Sequence, residues 1–333
     1  MGLAVRRLTA SVILGMVLGA TGFAVSAAPR VVATTGMVGD TVGVIGGECI
    51  ETTTLMGPGV DPHLYQASAS DVRAFQQAAL IAYNGFGLEG QLDTVLERLG
   101  ERRPTLAVAE AAAAAAGDEA LLAGAQGYSI DPHLWMDTAL WAQAITPVAD
   151  ALVDVAPECA NAIRTRAERL AGELVALDGW IRASLASIPA RQRVLLTAHD
   201  AFRYFGRAYA IEVRGIQGIS TSAEASVADI RNTAKLIVER GIPAIFVETT
   251  ISPRTVEAVL QAARQRSADV VLGGALYGDA LGERGTLADS LIGMHVHNTA
   301  AIAAGLGGNT APLPAALEPW RAALEAEGAA GIE

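Results

Sequence analysis

This 333-residue chain is poor in several residue types that would carry other functions. Lysine occurs once, as Lys235, against many arginines, a bias of composition that carries no functional reading. The net charge is −11, an acidic balance that argues against nucleic acid and anionic lipid as partners. After the first thirty residues no apolar run is long enough to span a bilayer. There is no HExxH run of the metalloprotease type. Cysteine is limited to Cys49 and Cys159. The two can pair in an oxidising compartment or remain as buried thiols, and sequence leaves both open.

The first 27 residues read as a cleavable export signal. Arg6 and Arg7 precede an apolar stretch, LTASVILGMVLGATGFAV, and small residues follow at Ser26, Ala27 and Ala28. Cleavage is expected after Ala27, because Pro29 disfavours the next bond. This segment holds no cysteine, hence no acceptor for a lipid anchor. The expected location is the periplasm of a double-membrane bacterium.

Only five histidines are present, and two of them share a tetrapeptide. DPHL occurs at Asp61–Leu64 and again at Asp131–Leu134. In both, proline restricts the backbone just before the imidazole. Imidazole is the commonest transition-metal ligand. His199 in TAHDAF and Asp279 in LYGDALG complete a candidate site of three nitrogens and one oxygen.

Strand-like and helix-like segments alternate along the chain, which predicts βαβ units and parallel sheets. Strand-like runs are Arg30–Thr34, Cys49–Met56, LIAYNG and PTLAVAE, then VLLTAH, IEVRGIQGI, AIFVETT and ADVVLGGALYGD. Ser68 or Ser70 is placed to cap a helix, Glu224 another, and Gly241 to end one. Ala111–Ala125 reads as a short helix or a loose loop. One helical pattern runs from Asp137 to Ala156. A longer one, from about Glu158 to Ser187, would extend roughly 45 Å at 1.5 Å per residue. The last helix is expected over Thr286–Leu306.

His199 and Asp279 follow strands of the second half, and His63 follows a strand of the first. Ligands of open parallel α/β sheets gather beyond the carboxyl ends of the strands. The four residues are therefore expected to meet between two lobes. Four protein ligands suit binding, since a catalytic metal keeps an open position. Glu248, at the end of FVE, is a candidate partner for a ligand imidazole. His295 and His297, two apart on a helix, are read as structural. Tyr65 and Trp135 are read as packing walls.

The chain resembles the metal-binding receptors of zinc/manganese ABC transporters, the cluster A-I solute-binding proteins. GPGVDPHLYQ, YNGFGLEG, DPHLWMD, TAHDAFRYF, GIQGISTSAEAS, FVETTISPR and GGALYGDALGERGT carry the resemblance through most of the chain. It implies two α/β lobes, 28–157 and 189–308, joined by a rigid helix over 158–188, with a peripheral tail over 309–333. It also implies His63, His133, His199 and Asp279 as ligands. The third position can be Glu in some manganese receptors; here it is His199. Zinc specialists often carry a His-rich loop before the second DPH. The corresponding AEAAAAAAGDEALLAGAQGYSI has no histidine. The cargo implied is Zn²⁺ or Mn²⁺, with Fe²⁺ a third option. The implied partner is a membrane permease, with the receptor a monomer that contacts no nucleic acid. The competing classes are a secreted metallohydrolase and an adhesin-like surface protein. The glycine-rich loop Tyr277–Gly285 is the expected moving element, and the long helix is expected to resist wide hinge opening.

Overall fold

The computed structural model describes residues 27–330. The expected leader lies, Ala27 apart, outside them. Among the described residues no helix is long and apolar enough to cross a membrane.

The first half holds β1 (Arg30–Ala33), α1 (Gly36–Gly46), β2 (Glu51–Thr54), α2 (Ala69–Gln77), β3 (Leu80–Tyr83), α3 (Asp93–Gly100), β4 (Thr105–Ala107) and α4 (Val108–Ala116). Its four strands form one parallel sheet in the order β2-β1-β3-β4. Val31, Val32, Ile81 and Ala82 on the two central strands are buried, as strands covered on both faces require. Ser68, not Ser70, caps α2: its hydroxyl accepts from Asp71 N–H while the Asp71 carboxylate returns to Ser68 N–H.

The pattern expected as one helix from Asp137 is broken. It forms α5 (Thr138–Trp141), a 3-10 turn at Ala142–Ala144, and α6 (Ile145–Val155). Pro147, in the first turn of α6, has no N–H to continue the ladder back to Gln143, so one helix cannot run through.

The long helix is present as α7 (Ala160–Leu185), 26 residues preceded by a 3-10 turn at Pro157–Cys159. Ile163, Ala167, Leu170, Leu174, Leu177, Ile181 and Leu185 recur three or four apart and are buried. This stripe packs on α1, α5 and α6 of the first half. It also meets α8 and α11 of the second. Each buried leucine contributes about 1.5–3 kcal/mol of transfer free energy, so the helix is held along its length. A disulfide joins Cys49 to Cys159, tying the turn after α1 to the start of α7. Arg166 braces the same junction through the carbonyls of Ile45 and Gly46.

The second half holds β5 (Val194–Thr197), α8 (Arg203–Tyr209), β6 (Glu212–Gly215), α9 (Val227–Arg240), β7 (Ala244–Glu248), α10 (Arg254–Arg264), β8 (Val271–Leu276) and α11 (Leu291–Gly305). Its strands pair in parallel as two ladders, β5-β6 and β7-β8, with β5 alongside β7. The β7-β8 register shifts between Ile245 and Val247. There Gly273 gives way to the Phe246 ring, and Gly274 has a φ of 111°.

Three expectations need correction here. Ser226, not Glu224, caps α9; Gly241 ends it in the left-handed conformation. The last long helix begins at Leu291, capped by Ser290, after a separate 3-10 turn at Leu287–Asp289. The tail is not peripheral. A 3-10 segment, Ala315–Trp320, leads into α12 (Arg321–Ala330). Leu317 is fully buried, Trp180 donates to the Ala311 carbonyl, and Trp320 donates to the Ser290 hydroxyl. An alanine-rich segment can pack closely once two tryptophans anchor it.

Candidate metal centre

The two DPHL copies fold differently. In the first, Asp61 caps a 3-10 turn, Pro62–Leu64, and accepts the His63 backbone N–H at 2.9 Å. Its other oxygen accepts from Thr221 Oγ1 at 2.6 Å, a contact with the second half. In the second, His133 itself precedes the 3-10 turn Leu134–Met136. There Asp131 Oδ1 accepts the His133 backbone N–H at 3.1 Å and lies 2.8 Å from the ring Nδ1. Asp131 Oδ2 accepts from Arg203 at 3.2 Å.

His199 lies just beyond β5, and its backbone N–H donates to Glu248 Oε1 at 2.8 Å. Its ring Nδ1 approaches Glu248 Oε2 to 2.8 Å, a close charge contact without the alignment of a hydrogen bond. Asp279 follows β8. Thus strand ends of the second half present His199, Glu248 and Asp279, and loops of the first half present His63 and His133.

All four candidate ligands are brought together. One donor atom from each of His63, His133, His199 and Asp279 lies within 4.8 Å of every other, and all four residues are buried. Asp279 Oδ2 is 3.0 Å from His199 Nε2 and 3.4 Å from His63 Nε2, and Oδ1 is 3.4 Å from His133 Nε2. Donors at about 2.1 Å from one tetrahedral ion stand ~3.4 Å apart, so the spacing fits a shared cation. The three Nε2 atoms and both Asp279 oxygens have no aligned hydrogen-bond partner. Buried polar atoms left so are rare unless something else satisfies them.

Electrostatics point the same way. Burial alone would raise the Asp279 carboxyl, but the facing imidazoles, His199 first and then His133 and His63, hold it well below the usual carboxylate range. Burial opposes charge on His133, yet Asp131 and Asp279 push its imidazole up to about 9. Burial likewise opposes charge on His199, but Glu248 and Asp279 raise it well above the ordinary histidine value. The pocket is built to receive positive charge.

The residues read as structural lie outside the cluster. His295 is buried in α11 and shares its Nε2 with the Trp135 carbonyl at 2.9 Å. His297 contacts Glu327 of α12 at 2.8 Å and the Ala275 carbonyl at 3.0 Å. Trp135 is a wall of the site, and its Nε1 donates to Gly278 O at 3.0 Å. Tyr65 instead bonds Asp71, away from the ligands. Two contacts escaped the sequence reading. Asp131 backs His133, which its place two residues before the histidine signalled. Tyr128, whose hydroxyl lies 2.9 Å from His63 Nδ1, stands in an alanine-rich stretch with no such signal.

In the loop after β8, the expected moving element, several backbone groups are bonded to neighbouring elements. Asn298 of α11 both accepts from Tyr277 N–H and donates to Tyr277 O, and Gly282 N–H donates to Ala288 O. Ala280 and Leu281 are buried.

Comparison with known proteins agrees with this architecture. The family described as "ZnuA: Zinc-uptake complex component A periplasmic" matches residues 31–305. Manganese-binding lipoprotein MntA of Bacillus subtilis is 39% identical over 269 residues, covering 81% of this chain and 87% of its own. Zinc-binding protein TroA of Treponema pallidum is 41% identical over 278 residues, 84% of this chain and 89% of its own. The solved structure of that periplasmic zinc-binding TroA superposes with a TM-score of 0.80 at 40% identity, covering 84% of this chain and 99% of TroA. Fe(III)-bound YtgA of Chlamydia trachomatis superposes at 0.77 with 25% identity, covering 85% of this chain and 99% of YtgA. The chain belongs to the ZnuA family, the non-enzymatic, extracytoplasmic metal-binding receptors of ABC uptake systems.

Proposed function

We propose that His63, His133, His199 and Asp279 together bind one divalent transition-metal ion as cargo, which the protein hands to its permease. The convergence of four unpartnered, buried donors from both halves of the chain supports this reading most directly. Charge supports a divalent ion. Asp279, Asp131 and Glu248 surround the three imidazoles with carboxylates, and Arg203, shared between Asp131 and Asp200, offsets only part of that negative charge. Glu248 and Asp131 serve as orienting partners behind His199 and His133, fixing ring tautomer and raising basicity.

Three imidazoles and a carboxylate bind Zn²⁺ more tightly than Mn²⁺, which stands lowest in the divalent series. Relatives of this chain are described as manganese-binding, zinc-binding and Fe(III)-bound, so the cargo in the cell follows supply as well as affinity. The receptor works as a monomer in the periplasm, released from its leader after Ala27. Residues 28–157 and 189–308 act as two lobes on a linking helix over 158–188, and 309–333 is the C-terminal tail.

Elemental analysis after gentle purification, with chelator-competition titrations of Zn²⁺ and Mn²⁺, tests this. One ion per chain, lost on His199→Ala and kept on His297→Ala, is the expected result. Equal loss from both substitutions would reject the ligand set.

A further inference from the structure

Both oxygens of Glu248 are committed to His199. Oε1 accepts the His199 backbone N–H at 2.8 Å, and Oε2 stands 2.8 Å from the ring Nδ1. Glu248 is buried at the end of β7, and Oε2 has no aligned hydrogen-bond donor among the described residues. The carboxylate keeps this double contact only while the space beside Oε2 stays clear. Gly278, in the loop after β8, borders that space.

A Cβ on Gly278 would lie 2.4 Å from Glu248 Oε2, nearer than a carbon and an oxygen can approach without one of them moving. Its other neighbours are looser, with His199 Cε1 at 3.4 Å and Glu248 Cδ at 3.5 Å. The backbone at Gly278 is not in the left-handed region, so the chain itself admits an alanine there. The conflict is with one carboxylate oxygen and not with any backbone atom. The loop has little room to withdraw. The Gly278 carbonyl accepts the Trp135 indole N–H at 3.0 Å, and Asn298 holds both backbone groups of Tyr277. With the loop held, the Glu248 side chain is the part that yields. Gly273 and Gly282 of the same segment press on Phe246 and Thr286 instead.

We propose that Gly278 is a positioning residue for metal binding. Its missing side chain lets Glu248 sit against His199 and orient the ring, so that Nε2 faces the other three ligands. A carboxylate behind a ligand imidazole fixes the ring and strengthens it as a ligand. This rests on the ligand assignment proposed above.

The test is Gly278→Ala, followed by the crystal structure of the metal-free variant and by chelator-competition titration with Zn²⁺. Glu248 Oε2 is expected beyond about 4 Å from His199 Nδ1, outside ion-pair reach. Zinc affinity is expected to fall about 10- to 100-fold, the range for losing such a partner. A double-mutant cycle separates this from a direct effect on the neighbouring Asp279. Glu248→Ala removes the oxygen that the new methyl meets. In that background Gly278→Ala is expected to cost less than about twofold more. Glu248→Asp, which draws the carboxylate back by one methylene, takes its place if Glu248→Ala does not fold. A full, additive loss in these backgrounds would overturn the proposal. So would a Glu248–His199 contact kept at its present distance in Gly278→Ala, or an unchanged zinc affinity. A zinc stoichiometry near zero in the unmodified protein would reject the ligand assignment, and the positioning role with it, wherever Glu248 stands in the variant.

Discussion

The indole N–H of Trp135 donates to the carbonyl of Gly278, 3.0 Å away and 143 residues along the chain. Trp135 follows the second DPHL, and Gly278 precedes Asp279. One hydrogen bond thus links the backbone of a candidate ligand in one half to the motif of another. Trp135 is fully buried, so Trp135→Phe leaves the Gly278 carbonyl without its partner, at about 1–3 kcal/mol. The expected outcome is a lower melting temperature and weaker metal binding by chelator competition. Unchanged affinity would show that Asp279 is positioned by the Asn298 contacts alone.

Burial depresses the His295 imidazole to about 4, despite its bond to the Trp135 carbonyl. The unfolded chain takes up this proton near 6.5, before the native state does. The contribution of His295 to stability is therefore full above pH 6.5 and falls as pH drops from 6.5 towards 4, by on the order of 3 kcal/mol. Asp40, Glu89 and Asp93, raised by burial to about 6, 7 and 6, titrate there with the opposite sign, so the His295 contribution is read as the difference between the metal-free protein and His295→Gln in urea unfolding across that range. A variant with the same slope would place the acid sensitivity elsewhere.

Metal affinity should rise with pH for a separate reason. His133, raised to about 9, must lose its proton before its Nε2 can bind a cation. Competition titrations from pH 6 to 9 should show tighter binding at each step, with protons released to the buffer. A flat profile would mean that the imidazoles are already neutral in the metal-free protein.

The Cys49–Cys159 bond closes a loop of 110 residues. In the chain-entropy treatment that is worth roughly 4–5 kcal/mol. Reduction, or paired Cys→Ser substitution, should lower the urea midpoint by that order and leave zinc affinity unchanged, since the bond lies at the α1–α7 junction. Loss of metal binding on reduction would show that α7 transmits strain to the site.

A continuous α7 packed on elements of both halves resists bending, because a hinge within it breaks backbone hydrogen bonds. Metal binding is expected to change the radius of gyration little in solution scattering. A large decrease on loading would refute a rigid link and leave the ligand set untouched.

Much of the site was legible in the chain because its signals are local. A proline before each histidine, strand ends at Thr197 and Leu276, and an acidic residue ending the FVE strand are all read within a few residues. The break between α5 and α6 was legible in principle, since Pro147 is printed in the pattern. The docking of the tail was not, because alanine-rich sequence carries little periodic contrast. Its attachment depends on where Trp180 and Ser290 happen to stand.

The twin DPHL motifs mark the boundary most clearly. Sequence by itself determined that two matched histidines, one further histidine and one aspartate were the scarce, well-placed donors. It also determined a long amphipathic helix between two βα-rich halves. Only the tertiary structure decided that Asp131 turns towards its own histidine ring while Asp61 turns away to Thr221, leaving His63 to Tyr128. The reason is physical. A backbone turn follows from neighbouring residues, but a ring nitrogen's partner depends on which distant side chain packing brings within 3 Å. His63 and Tyr128 are 65 residues apart, and no local preference encodes their meeting.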